Sequence, residues 1–593
     1  MGGEIWSHQL DYFLTLMGYT VGVGSIWKFP YMCARNGGGS FLIPFIIFTL
    51  LGSVPLTYLE MFVGQYSRGG PISAWKICPP LRGVGLGSVM ISWLFAIYYP
   101  VFFAWILYYL YFSFFPTLPW TQCNQEWNTQ NCVDGTSHIN RTLTAYNSTA
   151  LHSNFSDYGI KTTLGRLTNL STGNESHVEI SASEEFFRNQ VLDISDGVEN
   201  MGTLRWPLIG CLAVTFLSVY LCLLNGVKLS GKIVYVTVSC PYILILVFLV
   251  RSSSLPGAVD GVMFFIMPHF EKLIDPKVWM EALGLSLYQM GISYGFLITM
   301  AAHNPVNNNC FRDALFITVI TLLSQIFFGF AVFCITGHVA FKRDVPIEHF
   351  QTSGFKLGFI TYPEAASYLP LPQLWSVFLF VMLYTLGIDS LVPSYEVVTN
   401  MFSEWFPNFA RRRWLLNACV LFPSFLLALP YMTQGGVYFL TLVEWYAFFP
   451  AIILFAMLEC VVVGWIYGVK RIDKAMVLLW GKHLSPIISF LWRFACPILL
   501  AVMFAFSLYS YHPPQFEEYN FPPWAKWFGW LISVATVIPT PILLIHSVYT
   551  APGDSLREKI RIAFQPKHRW ATHDPDTDED GTTPTTIELI AKT

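Results

Sequence analysis

The chain has 593 residues and a formal net charge of −3; 54% of them are hydrophobic, 17% aromatic and only 12% charged. Soluble globular proteins carry about 25% charged residues, so these charges could not coat the several domains that this length would otherwise imply. Disorder, a coiled coil and a small disulfide scaffold are excluded as well, and no bulk basic field exists for nucleic acid. An integral membrane protein remains.

A helix needs about 20 apolar residues to cross the hydrocarbon core. In chain order, twelve runs meet this: near 10–33, 40–65, 86–115, 205–224, 233–251, 276–302, 311–338, 373–401, 414–431, 440–467, 486–508 and 526–549. The first is no signal peptide, because Asp11 interrupts it and its apolar stretch runs on to full span length. Short loops rich in Lys and Arg mark the cytoplasmic side. With residues 1–9 cytoplasmic, the inside loops collect Arg68, Lys76 and Arg82, then Lys228 and Lys232, Arg312, Arg411 to Arg413, and the cluster from Lys470 to Lys482. The tail, 550–593, adds Arg557, Lys559 and Arg561 and reads as disordered beyond about 551. Both termini are then cytoplasmic and the protein is a multi-pass protein of the cell membrane.

The N-x-S/T sequons fall in one loop (116–204), at Asn140, Asn147, Asn154, Asn169 and Asn174. That loop is outside by the charge count too, where glycans attach. Cys123 and Cys132 share it, and a disulfide between them is expected in this oxidising compartment. The other Cys sit in or beside spans and read as buried thiols.

Function is sought where the apolar rule is broken. The first span carries Gly18, Gly22 and Gly24, and the sixth carries Gly284, Gly291 and Gly295. Single glycines in membrane helices serve close packing. Two interrupted spans, five apart in order, point further, to discontinuous helices lining a midplane site in a transporter with inverted repeats. Asp389 stands deep in the eighth span, where a charge needs a partner; a bound hard cation suffices. Lys28 and Glu444 form a second stranded pair of opposite sign, able to close a gate or to snorkel separately.

The run Gly18 to Tyr31, Asn36-Gly-Gly-Gly-Ser-Phe-Leu-Ile-Pro44, Asn304-Pro-Val-Asn-Asn-Asn-Cys310, Thr385 to Ser390, and the Cys123/Cys132 pair beside Leu118-Pro-Trp120 resemble the sodium- and chloride-dependent neurotransmitter and amino-acid transporters (the neurotransmitter:sodium symporters, solute carrier family 6). The resemblance covers nearly all of the membrane region. It implies an all-α, twelve-helix LeuT-type fold: a 5+5 inverted repeat (10–251 and 276–467) with unwound first and sixth helices, and two more helices in 486–549. The residues around Gly337-His338 and Tyr362 to Ala365 are most similar to the glycine and neutral amino-acid branch.

By the same resemblance, a substrate carboxylate would bond the N–H groups of Val23 and Gly24 and the hydroxyl of Tyr99. Phe95, Tyr288, Gly291, Tyr294, Leu391 and Ser394 would line a pocket for a neutral side chain. Gly22 stands where monoamine carriers have an Asp, leaving room for the carboxylate. One sodium site is complete: the carbonyls of Gly18, Val21 and Leu386 with Asp389 and Ser390. The other, Thr20, Ser25, Gln289 and Thr321, departs from the pattern, and so does the chloride site, Phe45, Leu285 and Gln325. Lys28 and Glu444 would form one gate, Trp6 and Glu404 the other, where Gly3 replaces the family's Arg.

The expected function is a secondary active transporter of small neutral amino acids by alternating access. Na⁺ is the coupling ion through one site; Cl⁻ dependence is left open, weak or absent. A rebuilt cluster of Ser25, Gln289, Thr321 and Gln325 holding a displaced ion is one alternative. A non-transporting binding or regulatory protein on the same fold is another. An enzyme is the least expected reading, since no nucleophile–base pair, metal motif or phosphate loop appears in the sequence. The partners implied are the amino-acid substrate and the lipid bilayer, with an accessory membrane glycoprotein or homo-oligomer left open.

Overall fold

A computed structural model describes residues 5–133, 180–224, 226–347, 354–448 and 450–565. Ten helices in it are long and apolar enough to cross a membrane: Gly39–Ser67, Pro79–Phe112, Trp206–Leu223, Leu229–Ser252, Cys310–Lys342, Pro372–Trp405, Arg413–Met432, Gly436–Ile466, Pro486–Tyr509 and Pro523–Thr550. The two remaining predicted spans are the glycine-interrupted ones, and both are broken. The first consists of half-helices Gln9–Thr20 and Gly24–Arg35, and the sixth of Pro276–Met290 and Phe296–Ala301. Each half is too short to cross alone.

The sixth span breaks because its backbone turns left-handed three times, at Gly291 (φ 66°), Ser293 (φ 65°) and Gly295 (φ 76°). Glycine takes that region freely, whereas Ser293 does so at a cost of about 1–2 kcal/mol. The first span breaks across Val21 to Val23 without a positive φ. There Gly22 matters for close approach, since a Cβ on it would stand 2.4 Å from Ser390 Oγ.

Helix ends lie outside the predicted runs where chemistry caps them. The seventh span starts where the Asn309 side chain accepts from the Arg312 N–H at 3.2 Å. The eighth starts with proline and runs 34 residues, about 50 Å at 1.5 Å per residue, so it projects beyond the hydrocarbon core. The third bends at Tyr99, between helices Arg82–Tyr98 and Pro100–Phe112.

Burial sorts the spans. The most apolar stretch of the third is 83% buried and that of the twelfth 22%, so the third is central and the twelfth peripheral. Exposed apolar side chains such as Leu217, Val236, Ile243, Leu531 and Ile545 dress the outer spans, the surface that a bilayer would cover. One face of the bundle carries the 116–204 loop, where Cys123 and Cys132 form a disulfide and Trp120 Nε1 donates to the Pro363 carbonyl at 3.2 Å. This is called the loop face, and the opposite one, with Trp6, the terminal face. Asn140, Asn147, Asn154, Asn169 and Asn174 lie outside the described residues, as do Gly3 and most of the tail.

Candidate functional site

Both breaks occur at the same depth and are packed against the eighth span. Asp389 is buried on that helix, and its neighbour across the gap is the backbone of Gly18, where a Cβ would meet Asp389 Cβ at 2.7 Å. One carboxylate oxygen, Oδ1, accepts from the hydroxyl of Thr237 on the fifth span. The other, Oδ2, is buried with no hydrogen-bond partner among the described residues. Ser390 Oγ lies 3.4 Å from the Gly18 carbonyl and 3.2 Å from that of Tyr19. Pro393 has no N–H and so releases the carbonyl of Asp389 four residues earlier. An unpaired carboxylate oxygen, a hydroxyl and carbonyls from a broken helix form an all-oxygen donor set, the chemistry that a hard cation such as Na⁺ takes.

Above it, Val23 and Gly24 start the second half of the first span. The Val23 N–H faces the Tyr99 hydroxyl. The Gly24 N–H has no backbone acceptor among the described residues, an open donor at a helix N-terminus, where carboxylates bind. Tyr99 stacks on Phe95 with ring centroids 4.4 Å apart, and Tyr294 lies edge-on to Phe95 at 6.3 Å. Leu391 is fully buried on the eighth span. Ser394 Oγ donates to the Ser390 carbonyl at 2.8 Å. Gly291 faces Tyr19, whose ring stands 2.4 Å from where a Cβ would be.

The residues expected at the other two ion positions meet different partners. Gln325 Nε2 donates to Ser25 Oγ at 2.8 Å, and the hydroxyls of Thr20 and Thr321 lie 2.8 Å apart. Gln325 Oε1 and Gln289 Nε2 are buried without partners. Phe45 and Leu285 belong to an apolar cluster with Phe29, Phe41 and Phe265, and they offer carbon only.

Both mouths are closed. On the loop face, Lys28 Nζ lies 3.6 Å from Glu444 Oε1 and 3.9 Å from the centre of the Tyr288 ring. Phe448, one helical turn after Glu444, covers the pocket against Tyr288 (5.7 Å) and Tyr294 (5.5 Å). On the terminal face, Trp6 Nε1 donates to the Met300 carbonyl at 3.2 Å. Glu404 accepts from the Gly70 N–H and from Ser73 Oγ, both at 2.7 Å; it pins a loop and does not touch Trp6.

Sequence reading missed Tyr19, Thr237 and Phe448. Phe448 was findable, four residues after Glu444 and hence on the same helix face. No local pattern marks Thr237, which meets Asp389 only through helix packing.

The Sodium:neurotransmitter symporter family matches residues 3–551. The chain is 37% identical to the sodium- and chloride-dependent glycine transporter 2 of Xenopus laevis over 571 residues, 95% of this chain and 72% of that one. It is 35% identical to the sodium-dependent dopamine transporter of Bos taurus (95% and 77%) and 34% identical to the sodium- and chloride-dependent glycine transporter 1 of Xenopus laevis (95% and 87%).

Proposed function

The chain belongs to the sodium:neurotransmitter symporter family, multi-pass membrane transporters of LeuT-type fold, and from that premise we propose that it carries small neutral amino acids into cells, driven by Na⁺. The observation that carries the substrate class is the crowding around Gly22. A Cβ there would stand 2.4 Å from Ser390 Oγ and 3.4 Å from the Tyr99 hydroxyl. No side-chain carboxylate fits, so the negative partner for this corner comes with the substrate, on the Gly24 N–H and Tyr99 hydroxyl. Tyr19, Phe95 and Tyr294 fill the rest of the pocket and favour small side chains.

Na⁺ binds at Gly18, Val21, Leu386, Asp389 and Ser390, and it supplies the charge that Asp389 Oδ2 lacks. Gln325 Nε2 donates to Ser25 Oγ where a second ion would sit, which supports coupling to a single Na⁺ with weak or absent chloride dependence. The terminal face is cytoplasmic, the protein resides in the cell membrane, and Lys28, Glu444 and Phe448 form the outer gate.

The test is uptake of labelled glycine, alanine, serine and leucine into cells with surface-verified protein, in Na⁺ or choline and in Cl⁻ or gluconate. Na⁺-dependent, chloride-tolerant uptake is expected. Binding of these amino acids without uptake would favour a non-transporting protein on this fold.

A further inference from the structure

Two carboxylates that play no part in the site described above meet behind the broken sixth span. Glu60 on the second span is fully buried and Glu459 on the tenth is 3% exposed, and the two carboxyls face one another. Glu60 Oε1 accepts the Ser293 N–H at 2.6 Å. Glu60 Oε2, both Glu459 oxygens and the Ser293 hydroxyl are all buried without a hydrogen-bond partner among the described residues, and that hydroxyl is aimed at Glu459. The titratable groups facing the pair are Tyr19 of the first span and Cys460 beside Glu459, with Cys496 of the eleventh next to it. No Lys, Arg or His among the described residues forms an ion pair with either carboxylate.

We propose that Glu60, Glu459 and Ser293 form a proton-binding site that holds one proton between the two carboxyls and clamps the break of the sixth helix. A single proton accounts for every orphan. It sits on one carboxyl and is donated to the other, which satisfies Glu60 Oε2 and one Glu459 oxygen. The Ser293 O–H then donates to the remaining Glu459 oxygen, while its N–H stays on Glu60. Without that proton two like charges would share an apolar pocket, where ionised groups are strongly disfavoured. A metal ion does not fit. The adjoining cavity, lined by Leu59, Val63, Trp75, Ile77 and Ile298, is about 10 Å³, room for one water at most, and it adds no oxygen ligand. Trp75 and Ile77 belong to the loop between the second and third spans, so the cavity lies between the pair and that loop.

The clamp matters because Ser293 holds the strained turn between Gly291 and Tyr294, which line the proposed substrate pocket. A proton here fixes the shape of the break without contacting the substrate.

The test needs no transport and so stands apart from the substrate reading. Infrared spectroscopy of the full chain in lipid nanodiscs, labelled with side-chain-carboxyl ¹³C glutamate, reports protonated glutamic acid directly. One protonated glutamate per chain at pH 7 is expected, in Na⁺ and in choline alike. Its band should shift in Glu60→Gln, in Glu459→Gln and in Ser293→Ala, since each changes the proton's partners, and it should vanish only in the double variant Glu60→Gln/Glu459→Gln. Absence of the band from the wild-type chain overturns the proposal even if neither variant folds. Loss of the band on adding Na⁺ would make this a cation site, and an unchanged band in Ser293→Ala would remove the clamp.

Discussion

The side-chain amide of Gln325 donates to the hydroxyl of Ser25 at 2.8 Å, tying the seventh span to the broken first span. A hydroxyl that accepts this bond has a lone pair fewer for a cation, and the amide fills the space between the two helices. Gln325→Ala should open that space without restoring an ion ligand. The expected outcome is a Na⁺ Hill coefficient of about 1 in both forms, the one-site limit, with lower maximal uptake in the variant. A wild-type coefficient of about 2 would show that a second ion binds despite the Gln325 contact.

Asp389 carries the only formal charge in the proposed Na⁺ site, with Oδ2 unpartnered. Asp389→Asn keeps the volume and removes the charge. Na⁺ stimulation of uptake should fall by at least 100-fold in apparent affinity, about 2.7 kcal/mol. Thr237→Val, which removes the hydroxyl on Oδ1, should alter Na⁺ affinity much less, by about tenfold or under. Na⁺ titrations of uptake on surface-quantified protein read both, and equal responses would reject Asp389 as the principal ligand.

Gly22 has no room for a Cβ. Gly22→Ala should push Ser390 Oγ out of line and weaken both Na⁺ and substrate, and Gly22→Asp should abolish amino-acid uptake. The check is glycine and dopamine uptake side by side. A Gly22→Asp chain that gained dopamine uptake at normal Na⁺ affinity would show that the corner yields, and the packing argument would fall.

The outer gate combines a weak and a strong element. The Lys28–Glu444 pair is about 30% exposed on each side, and such pairs contribute about 0.2–1 kcal/mol. Glu444→Gln should therefore change apparent substrate affinity by no more than about fivefold. Phe448→Ala deletes the ring that covers Tyr288 and Tyr294 and should cost more. Concentration dependence of uptake in the two variants ranks them, and the reverse order would make the ion pair the principal lock.

Much was legible before folding was considered. Hydropathy gave the twelve spans, and the glycines at 22, 24, 291 and 295 placed both breaks, because a helix that loses side chains and gains backbone freedom at one depth is weakest there. Asp389, Lys28 and Glu444 stood out as charges in apolar runs. The same rule applies to Glu60 and Glu459, yet the sequence alone did not bring them together, since nothing in the 398 intervening positions says that spans two and ten face the same turn.

The sequence by itself determined the membrane class, the span count, the sites of helix breakage and three of the stranded charges, Asp389, Lys28 and Glu444, all properties of local composition. Only the tertiary structure decided what each stranded group meets: Thr237 on Asp389, Gln325 on Ser25, Ser293 between two glutamates, and Tyr19 against Gly291. These pairings arise from helices distant in the chain whose buried polar atoms must be satisfied within the bundle, because the bilayer offers them no water.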